Sequence, residues 1–337
     1  RYEDTTKHIA GLLTLPNGRV IGHYFQGRLA LARQQTAEAV ARLQEVVAEA
    51  PDMTIAQYML GLAHMQRGQP QLAESAFTKA IKLAPQSPEA YLVLAELHLR
   101  EQAFKQALAV GQQFLQSQPK HPQASLIIGR AYLGQEQFPP AVAAFKTAME
   151  LAPQSPQVPY YLGIAYQRQN KLPEALQAFE QALTHGPRFT DALARIVQLH
   201  LSQKQSDKAL VRVKRQVQEV ADQAAMHDLL GSVYLERTEY AAAEKAFETA
   251  IALDEQFLNA YFNLGRLYTA TQSYDAPIAR YKQTIASNPK LLPPYMLLGL
   301  LYDAQRQYDR ANEQYHQVLR LNPNFALAAN NLAWNYT

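Results

Sequence analysis

A 34-residue period runs through the chain and restricts it to a repeat architecture. Glycines recur at whole multiples of 34 residues, alanines follow them by twelve residues, and prolines keep the same step. The three series are Gly27, Gly61, Gly129, Gly163, Gly231, Gly265 and Gly299; Ala73, Ala107, Ala141, Ala175, Ala209, Ala243 and Ala311; and Pro85, Pro119, Pro153, Pro187, Pro289 and Pro323. Because three residue types share one register, chance does not account for the pattern.

Two stretches carry a resemblance to a known family. Residues 261–268 (YFNLGRLY) resemble the first-helix signature of the tetratricopeptide repeat, and residues 243–250 (AEKAFETA) resemble its second-helix signature. The resemblance covers essentially the whole chain. It implies an all-α fold, namely a right-handed superhelical solenoid of antiparallel helix pairs.

In this register we expect a single solenoid domain over residues 1–337. The nine full repeats are 20–53, 54–87, 88–121, 122–155, 156–189, 190–223, 224–257, 258–291 and 292–325, with partial repeats at 1–19 and 326–337. The chain starts at Arg1 without a methionine and stops inside a helix pattern, so we expect it to be a fragment. Solenoids end in polar capping repeats, and restoring missing C-terminal repeats is therefore expected to raise the melting temperature.

The residues between the prolines support helices independently of the family. Apolar residues fall at helical spacing, and the prolines fall in the first turns of expected helices, where a missing N–H does no harm. Large rings share two further positions of the period and are expected to fill the space between helices. They are Phe77, Phe145, Phe179, Phe247, Tyr281 and Tyr315 at one position, and Tyr132, Tyr166, Tyr234, Tyr268 and Tyr302 at the other.

Repeat 190–223 departs most from the pattern. It has Val197 at the glycine position, Gln216 where other repeats have alanine, and Ala221 where proline is expected. Its second helix holds the basic run Lys208, Arg212, Lys214 and Arg215. One interpretation is a drifted repeat with a solvated basic face. The alternatives are a flexible joint or a docking patch on the outer side of the array.

Composition excludes several classes of function. The chain has no cysteine, which rules out disulfides, thiolate metal sites and a cysteine nucleophile. Its net charge of +3 and mixed groove charges do not indicate nucleic-acid binding. His64, His98 and His200 stand where other repeats have tyrosine, which predicts packing rather than metal binding. With no phosphate loop, nucleophile elbow or zinc motif, we expect no enzyme activity and no cofactor.

The family resemblance implies that the first helices line a concave groove that binds partner segments. The positions carried over to the groove are Tyr24, Arg28, Tyr58, Leu62, Met65, Leu92, Arg100, Leu126, Arg130, Tyr160, Ile164, Arg168 and Arg266. The earlier part is apolar and contains tyrosines, and the later part is more polar. Arg130 and Arg168 could bracket an acidic group of the partner. The leucines have the alternative role of packing neighbouring first helices together.

Two subtypes of the family fit these positions poorly. A clamp for chaperone tails needs a lysine where this chain has Tyr58, Leu92, Leu126 and Tyr160. The arrays linked to glycosyltransferases carry a ladder of asparagines, of which only Asn263 and Asn331 have counterparts here.

The leading functional hypothesis is a scaffold that binds a protein or peptide segment in the groove. The long Ala-, Gln- and Leu-rich array is similar to bacterial arrays of envelope secretion and exopolysaccharide assembly, including lipoproteins. This favours the periplasm or envelope over the cytoplasm, with membrane attachment only through an anchor outside these residues. The alternative is a helper region that recruits substrate for an enzyme whose catalytic domain lies elsewhere.

Overall fold

The computed structural model describes residues 2–15 and 18–336, and within them it contains 20 α-helices and no β-strand. The helices are α1 Tyr2–Leu13, α2 Arg19–Ala32, α3 Thr36–Glu49, α4 Thr54–Gln66, α5 Pro70–Leu83, α6 Pro88–Arg100, α7 Phe104–Ser117, α8 Pro122–Gly134, α9 Phe138–Leu151, α10 Gln157–Arg168, α11 Leu172–His185, α12 Thr190–Ser202, α13 Ser206–Glu219, α14 Ala224–Glu236, α15 Tyr240–Leu253, α16 Leu258–Thr271, α17 Asp275–Ser287, α18 Leu292–Ala304, α19 Tyr308–Leu321 and α20 Ala326–Asn335. The predicted all-α class is confirmed.

Consecutive helices pack in pairs that follow the 34-residue period. The pairs α2–α3, α4–α5, α8–α9, α14–α15 and α18–α19 make extensive contacts. First helices begin at Thr54, Pro88, Pro122, Thr190 and Ala224, which are the starts of the predicted repeats. Three-residue turns join the two helices of most repeats, so each pair is antiparallel.

The contacts of the chain divide it into two compact units. Unit 1 comprises residues 1–175 and unit 2 comprises residues 176–337. Each unit has its own run of helix pairs and its own buried clusters. The single continuous domain expected from the sequence stays a prediction.

The prolines lie where the sequence predicted them. Pro70, Pro88 and Pro122 are the first residues of their helices. Pro159 and Pro277 each occupy the third position of a helix. All of these positions belong to a first turn, where no intrahelical N–H bond is lost. Proline therefore sets the helix starts without interrupting the packing that follows.

The glycine position brings the two helices of a repeat into direct contact. A Cβ atom added at Gly61 would lie 2.5 Å from the ring of Phe77, and one added at Gly231 would lie 2.5 Å from Phe247. Gly265 is different, since its added Cβ would meet Leu297 of α18 at 3.4 Å. The predicted close crossing of the two helices is therefore present at Gly61 and Gly231 and absent at Gly265 in repeat 258–291.

Repeat 190–223 is fully helical, and its substitutions compensate one another. Val197 at the glycine position is buried, and Val213 replaces the large ring found sixteen residues after the glycine in other repeats. A larger residue on one helix is thus matched by a smaller one on the other, which conserves volume.

The prediction that the basic residues of this repeat are solvated is wrong for one of them. Arg212 is only 8% exposed. Its Nε donates to Glu180 at 2.7 Å, and its Nη1 donates to Gln216 at 2.9 Å. The Gln216 amide in turn donates to the carbonyl of Pro187 at 2.8 Å. The positions that hold alanine elsewhere here hold a buried polar network, because each charged or amide group has a partner.

The turns between first and second helices share a left-handed residue that the sequence pattern did not reveal. Positive φ angles occur every 34 residues, at Gln34, Gly68, Gln102, Glu136, Asn170, Lys204, Thr238, Gln272 and Arg306. The next N–H bonds back to a first-helix carbonyl, as from Gln69 to His64 at 2.9 Å. This is the hydrogen bond of a Schellman cap. Only Gly68 and Asn170 have residue types that favour this conformation.

Replacing Thr238 by glycine is expected to raise the free energy of unfolding by about 0.5–1 kcal/mol, because a β-branched residue at φ +59° is strained. The greater flexibility of glycine in the unfolded chain offsets part of the gain. The reverse change, Gly68→Thr, is expected to cost about 1 kcal/mol, since nothing lies near an added Cβ and only the backbone at φ +71° resists. Chemical denaturation measures the change in the free energy of unfolding of each variant. Changes of the same sign in the two variants would contradict the expectation.

Candidate functional site

The candidate site in unit 1 is the surface formed by α2, α4, α6, α8 and α10, which we call the first-helix face. These helices contact each other across repeats, as α2 with α4, α6 with α8 and α8 with α10. Twelve of the thirteen sequence-predicted groove residues lie on them, and Arg266 lies on α16 in unit 2. The helices thus bring most of the predicted set onto one side of unit 1.

Two members of the predicted set are not available to a partner. Tyr24 is 7% exposed and belongs to a buried cluster with Ala39, Val40 and Leu43. Leu126 is 3% exposed on α8, which packs against both α6 and α10. The helices packed around these two side chains cover them, so their assignment to the groove is wrong.

The remaining apolar members are half-buried. Tyr58, Leu62, Met65 and Leu92 pack against the cluster around Phe77 and Tyr91 while keeping part of their surface exposed. The two leucines therefore contribute to inter-helix packing, as the alternative interpretation held. Tyr58 lies 5.9 Å from the Phe77 ring, centroid to centroid.

At the other end of unit 1, Tyr160 and Ile164 are also half-buried on α10. Tyr160 packs edge-on against Tyr161, with ring centroids 5.4 Å apart. Both ends of the first-helix face therefore offer partly exposed aromatic surface held in place by the core.

The arginines of the set differ in whether they pair with an acidic side chain of unit 1. Arg130 donates to both oxygens of Glu96, at 2.7 and 3.4 Å, and its guanidinium lies 5.0 Å from the Tyr161 ring centroid. Because both its charge and its face are occupied within unit 1, Arg130 does not form the predicted acid-binding bracket with Arg168.

The other predicted arginines of the first-helix face, Arg28, Arg100 and Arg168, are exposed. Arg28 lies 5.6 Å from the Tyr24 ring centroid. Arg100 and Arg168 have no acidic side chain within ion-pair distance among the described residues. Their charges remain open to a partner carboxylate.

The polar positions of unit 2 bind one another. The Asn263 side-chain amide donates to Asp228 at 2.8 Å, and Arg266 donates to the side-chain oxygen Oδ1 of Asn263 at 3.3 Å. Burial raises the pKa of Asp228 to about 6, while the Asn263 hydrogen bond and the Arg266 charge act in the opposite direction. The polar side chains that the sequence indicated in this part therefore pair mainly with one another.

Unit 2 also contains an apolar cavity that sequence reasoning missed. It has a volume of about 810 Å³ and is lined by Leu235, Tyr240, Phe262, Gly265, Arg266 and Leu300 among others. The exposed Arg266 side chain lies 3.7 Å from Glu236 at the same cavity. Phe262 and Leu300 were the available signal, since each is a large apolar residue at a first-helix position that the preceding repeat fills with a charged one, Asp228 and Arg266 respectively.

The three histidines that stand at the tyrosine position of the period have structural roles. His64 and His98 are each 4% exposed, and His64 Nδ1 lies 2.9 Å from the Gln69 side-chain oxygen. His200 makes the equivalent contact with Gln205 at 3.3 Å. Their predicted packing role is confirmed. Within residues 2–15 and 18–336 no cluster of three or more His, Asp or Glu side chains could hold a metal ion.

Comparison with known families decides the assignment. Models of the tetratricopeptide repeat match residues 24–88, 58–122 and 229–290, residues 166–233, and residues 294–325. Together they cover residues 24–122, 166–290 and 294–325, more than half of the chain. The chain belongs to the tetratricopeptide repeat family. A model of anaphase-promoting complex subunit 3 also matches residues 100–182.

A solved tetratricopeptide repeat protein shares the fold at low sequence identity, and two further solved structures match with lower TM-scores. A repeat protein from Parabacteroides merdae is 16% identical with a TM-score of 0.51, covering 77% of this chain and 98% of that one. MamA from Desulfovibrio magneticus is 23% identical, with a TM-score of 0.43 and coverage of 54% and 95%. The Cut9–Hcn1 hetero-tetramer of APC/C is 14% identical, with a TM-score of 0.44 and coverage of 98% and 81%. The comparison with curated proteins gave no match.

The helices of this tetratricopeptide repeat protein are short. In the part of the chain that the structure describes, none is both long and apolar enough to span a lipid bilayer.

Proposed function

We propose that this protein is a protein–protein interaction scaffold that holds an extended or helical partner segment on the first-helix face of unit 1. The observation that carries the proposal is the set of half-buried Tyr58, Met65, Tyr160 and Ile164 beside the unpaired Arg100 and Arg168.

The chemistry of this face suits a protein ligand. Tyrosine and arginine are among the residues that contribute most to binding energy at protein interfaces, and methionine is enriched there. Because the core holds these rings through contacts such as Tyr58 with Phe77, little side-chain entropy is lost on binding. A partner segment would place apolar side chains between the rings and acidic groups near Arg100 or Arg168.

The position of the partner can be tested by photo-crosslinking in the native cell extract. A benzoylphenylalanine at Met65 of α4 is compared with one at the exposed Gln112 of α7, which lies on a second helix. We expect the same adduct from Met65 and from Ile164, and none from Gln112. An adduct only from second-helix positions would place the partner on the opposite side.

Tyr160→Ala is expected to weaken binding of the crosslinked partner about thirtyfold, which corresponds to roughly 2 kcal/mol. Tyr58→Ala is expected to act in the same direction. Arg215→Ala on α13 serves as the control, because that side chain is exposed on a second helix of unit 2. Affinity is measured by titration, with folding checked by circular dichroism. Normal binding by both tyrosine variants would refute the assignment.

For the cellular location, we propose the bacterial periplasm or envelope, in secretion or exopolysaccharide assembly. The support is the absence of cysteine, which suits an oxidising compartment, and the Ala-, Gln- and Leu-rich array. Fractionation of the cells that produce the protein, with marker proteins for each compartment, tests the proposal. Recovery only with cytoplasmic markers would overturn it.

A further inference from the structure

Unit 1 contains a small, partly enclosed cavity at the start of two neighbouring first helices. It has a volume of about 300 Å³ and lies between α4, α5 and α6. Its lining includes Ile55, Tyr58, Ala80, Ser87, Glu89 and Ala90. The cavity therefore combines aliphatic groups, one phenol ring and one carboxylate, and most of its lining comes from the first helices α4 and α6.

The carboxylate of this cavity is held and ionised. Glu89 is the second residue of α6, and the Ser87 hydroxyl, at the N-cap, donates a hydrogen bond to it. This hydrogen bond and that from its own backbone N–H lower the pKa of Glu89. The side chain thus carries a full negative charge at neutral pH and is restrained by its neighbour.

No cation of unit 1 neutralises this charge. Among the residues that the structure describes, no Lys, Arg or His lies within ion-pair distance of Glu89. Glu96, about two turns further along the same helix, is paired with Arg130 at 2.7 Å. Glu89 is therefore an ionised carboxylate at a cavity without a counter-charge.

The phenol ring beside it adds a second attraction for a cation. Tyr58 lines the same cavity. Burial raises the pKa of Tyr58, and the negative charge of Glu89 raises it further. An aromatic face binds ammonium and guanidinium groups. Ile55, Ala80 and Ala90 provide an aliphatic wall of the kind against which the stem of a long basic side chain packs.

This combination is specific to one place in unit 1. The residues 31 positions apart that meet here, Tyr58 and Glu89, correspond in other repeats of residues 1–175 to the pairs Tyr24/Ile55, Leu92/Gln123 and Leu126/Gln157. None of these pairs joins an aromatic ring with an acid. The cavity chemistry is thus not a general consequence of the repeat.

We propose that this cavity binds a lysine or arginine side chain of the partner segment, with the cationic head between Glu89 and the Tyr58 ring and the stem against Ile55. The proposal rests on the proposed function for the origin of the cation, but the cavity itself can be tested with a small probe. It gives the partner a basic residue at the α4–α6 end of the first-helix face. Acidic groups then face Arg100 or Arg168 elsewhere on the same surface.

The experiment titrates the whole chain with N-acetyl-arginine methylamide and follows the methyl signals of Ile55, Ala80 and Ala90 by NMR. N-acetyl-norleucine methylamide serves as the neutral probe and N-acetyl-glutamate methylamide as the acidic one. We expect saturable shifts of these methyl signals with the arginine probe only. Glu89→Gln should weaken that binding about fivefold, and Tyr58→Leu about two- to fivefold. Glu101→Gln is the matched control, because it removes an exposed acid at the other end of α6.

Equal shifts with the norleucine probe, or unchanged arginine binding by Glu89→Gln, would overturn the cationic assignment. Absence of shifts with every probe would overturn it as well. These outcomes are distinct from a failure of the proposed function, which is decided by crosslinking from Met65 and by binding of Tyr160→Ala. Partner binding that survives Glu89→Gln but is lost in Tyr160→Ala would retain the scaffold and remove this pocket.

Discussion

Replacing Gly231 by alanine is expected to lower the free energy of unfolding by about 1–3 kcal/mol, although alanine is the better helix former. The added Cβ would lie 2.5 Å from the Phe247 ring, which is itself fully buried. Ring and helix must therefore move apart in a close-packed interior. Chemical denaturation monitored by circular dichroism measures the loss.

Gly265→Ala at the equivalent position of the next repeat is the matched control. Its added Cβ would meet Leu297 at 3.4 Å, an ordinary van der Waals contact. With no overlap to oppose it, the helix propensity of alanine should raise stability by about 0.5–1 kcal/mol. Gly129→Ala, facing Phe145 at 2.4 Å in unit 1, should repeat the loss. If the two substitutions at Gly231 and Gly265 changed the free energy of unfolding in the same direction, the difference in packing at these two glycines would be contradicted.

The second large effect is expected at Arg212. Arg212→Ala should lower the free energy of unfolding by about 2–4 kcal/mol, because it leaves the Glu180 carboxylate and the buried Gln216 amide without their donor. Glu180 is about one-third exposed, so water recovers part of the loss. Hydrogen exchange of α13 together with denaturant unfolding measures both the local and the global change.

Arg215→Ala provides the comparison on the same helix. Arg215 is 60% exposed, and its contacts with Glu180 and Glu219 are 3.7 and 3.9 Å long, so its loss should change stability by less than about 0.5 kcal/mol. The double variant Arg212→Met with Glu180→Leu removes the charged donor and its carboxylate acceptor together and should recover part of the loss, while the Gln216 side-chain oxygen stays without its donor. If Arg212→Ala unfolds like the parent protein, the network does not stabilise repeat 190–223.

Much of the fold was readable from the residue pattern. The period of 34, the first-turn prolines and the helical spacing of apolar residues predicted the helix pairs and where first helices begin. These features are repeated and local, and helix starts depend on residues within one turn. The ring positions and the packing role of His64 and His98 followed for the same reason.

The candidate site was predictable in outline and wrong in detail. All thirteen residues lie on first helices, but Tyr24 and Leu126 are buried and Arg130 is paired with Glu96. The carboxylate that pairs with Arg130 stands 34 residues earlier, so the pair exists only when two repeats stack. Whether Glu89 has an ion-pair partner likewise depends on which cations the neighbouring helices bring close to it.

The amino-acid pattern alone thus determined the family, the helix pairs and the face that carries the candidate residues. Tertiary packing decided that Gly231 faces a ring and Gly265 does not, and that Arg212 is buried. Equivalent positions in a repeat share a residue type because they share a local role. Their burial and partners differ because these depend on side chains from neighbouring helices, which the period does not constrain to be the same.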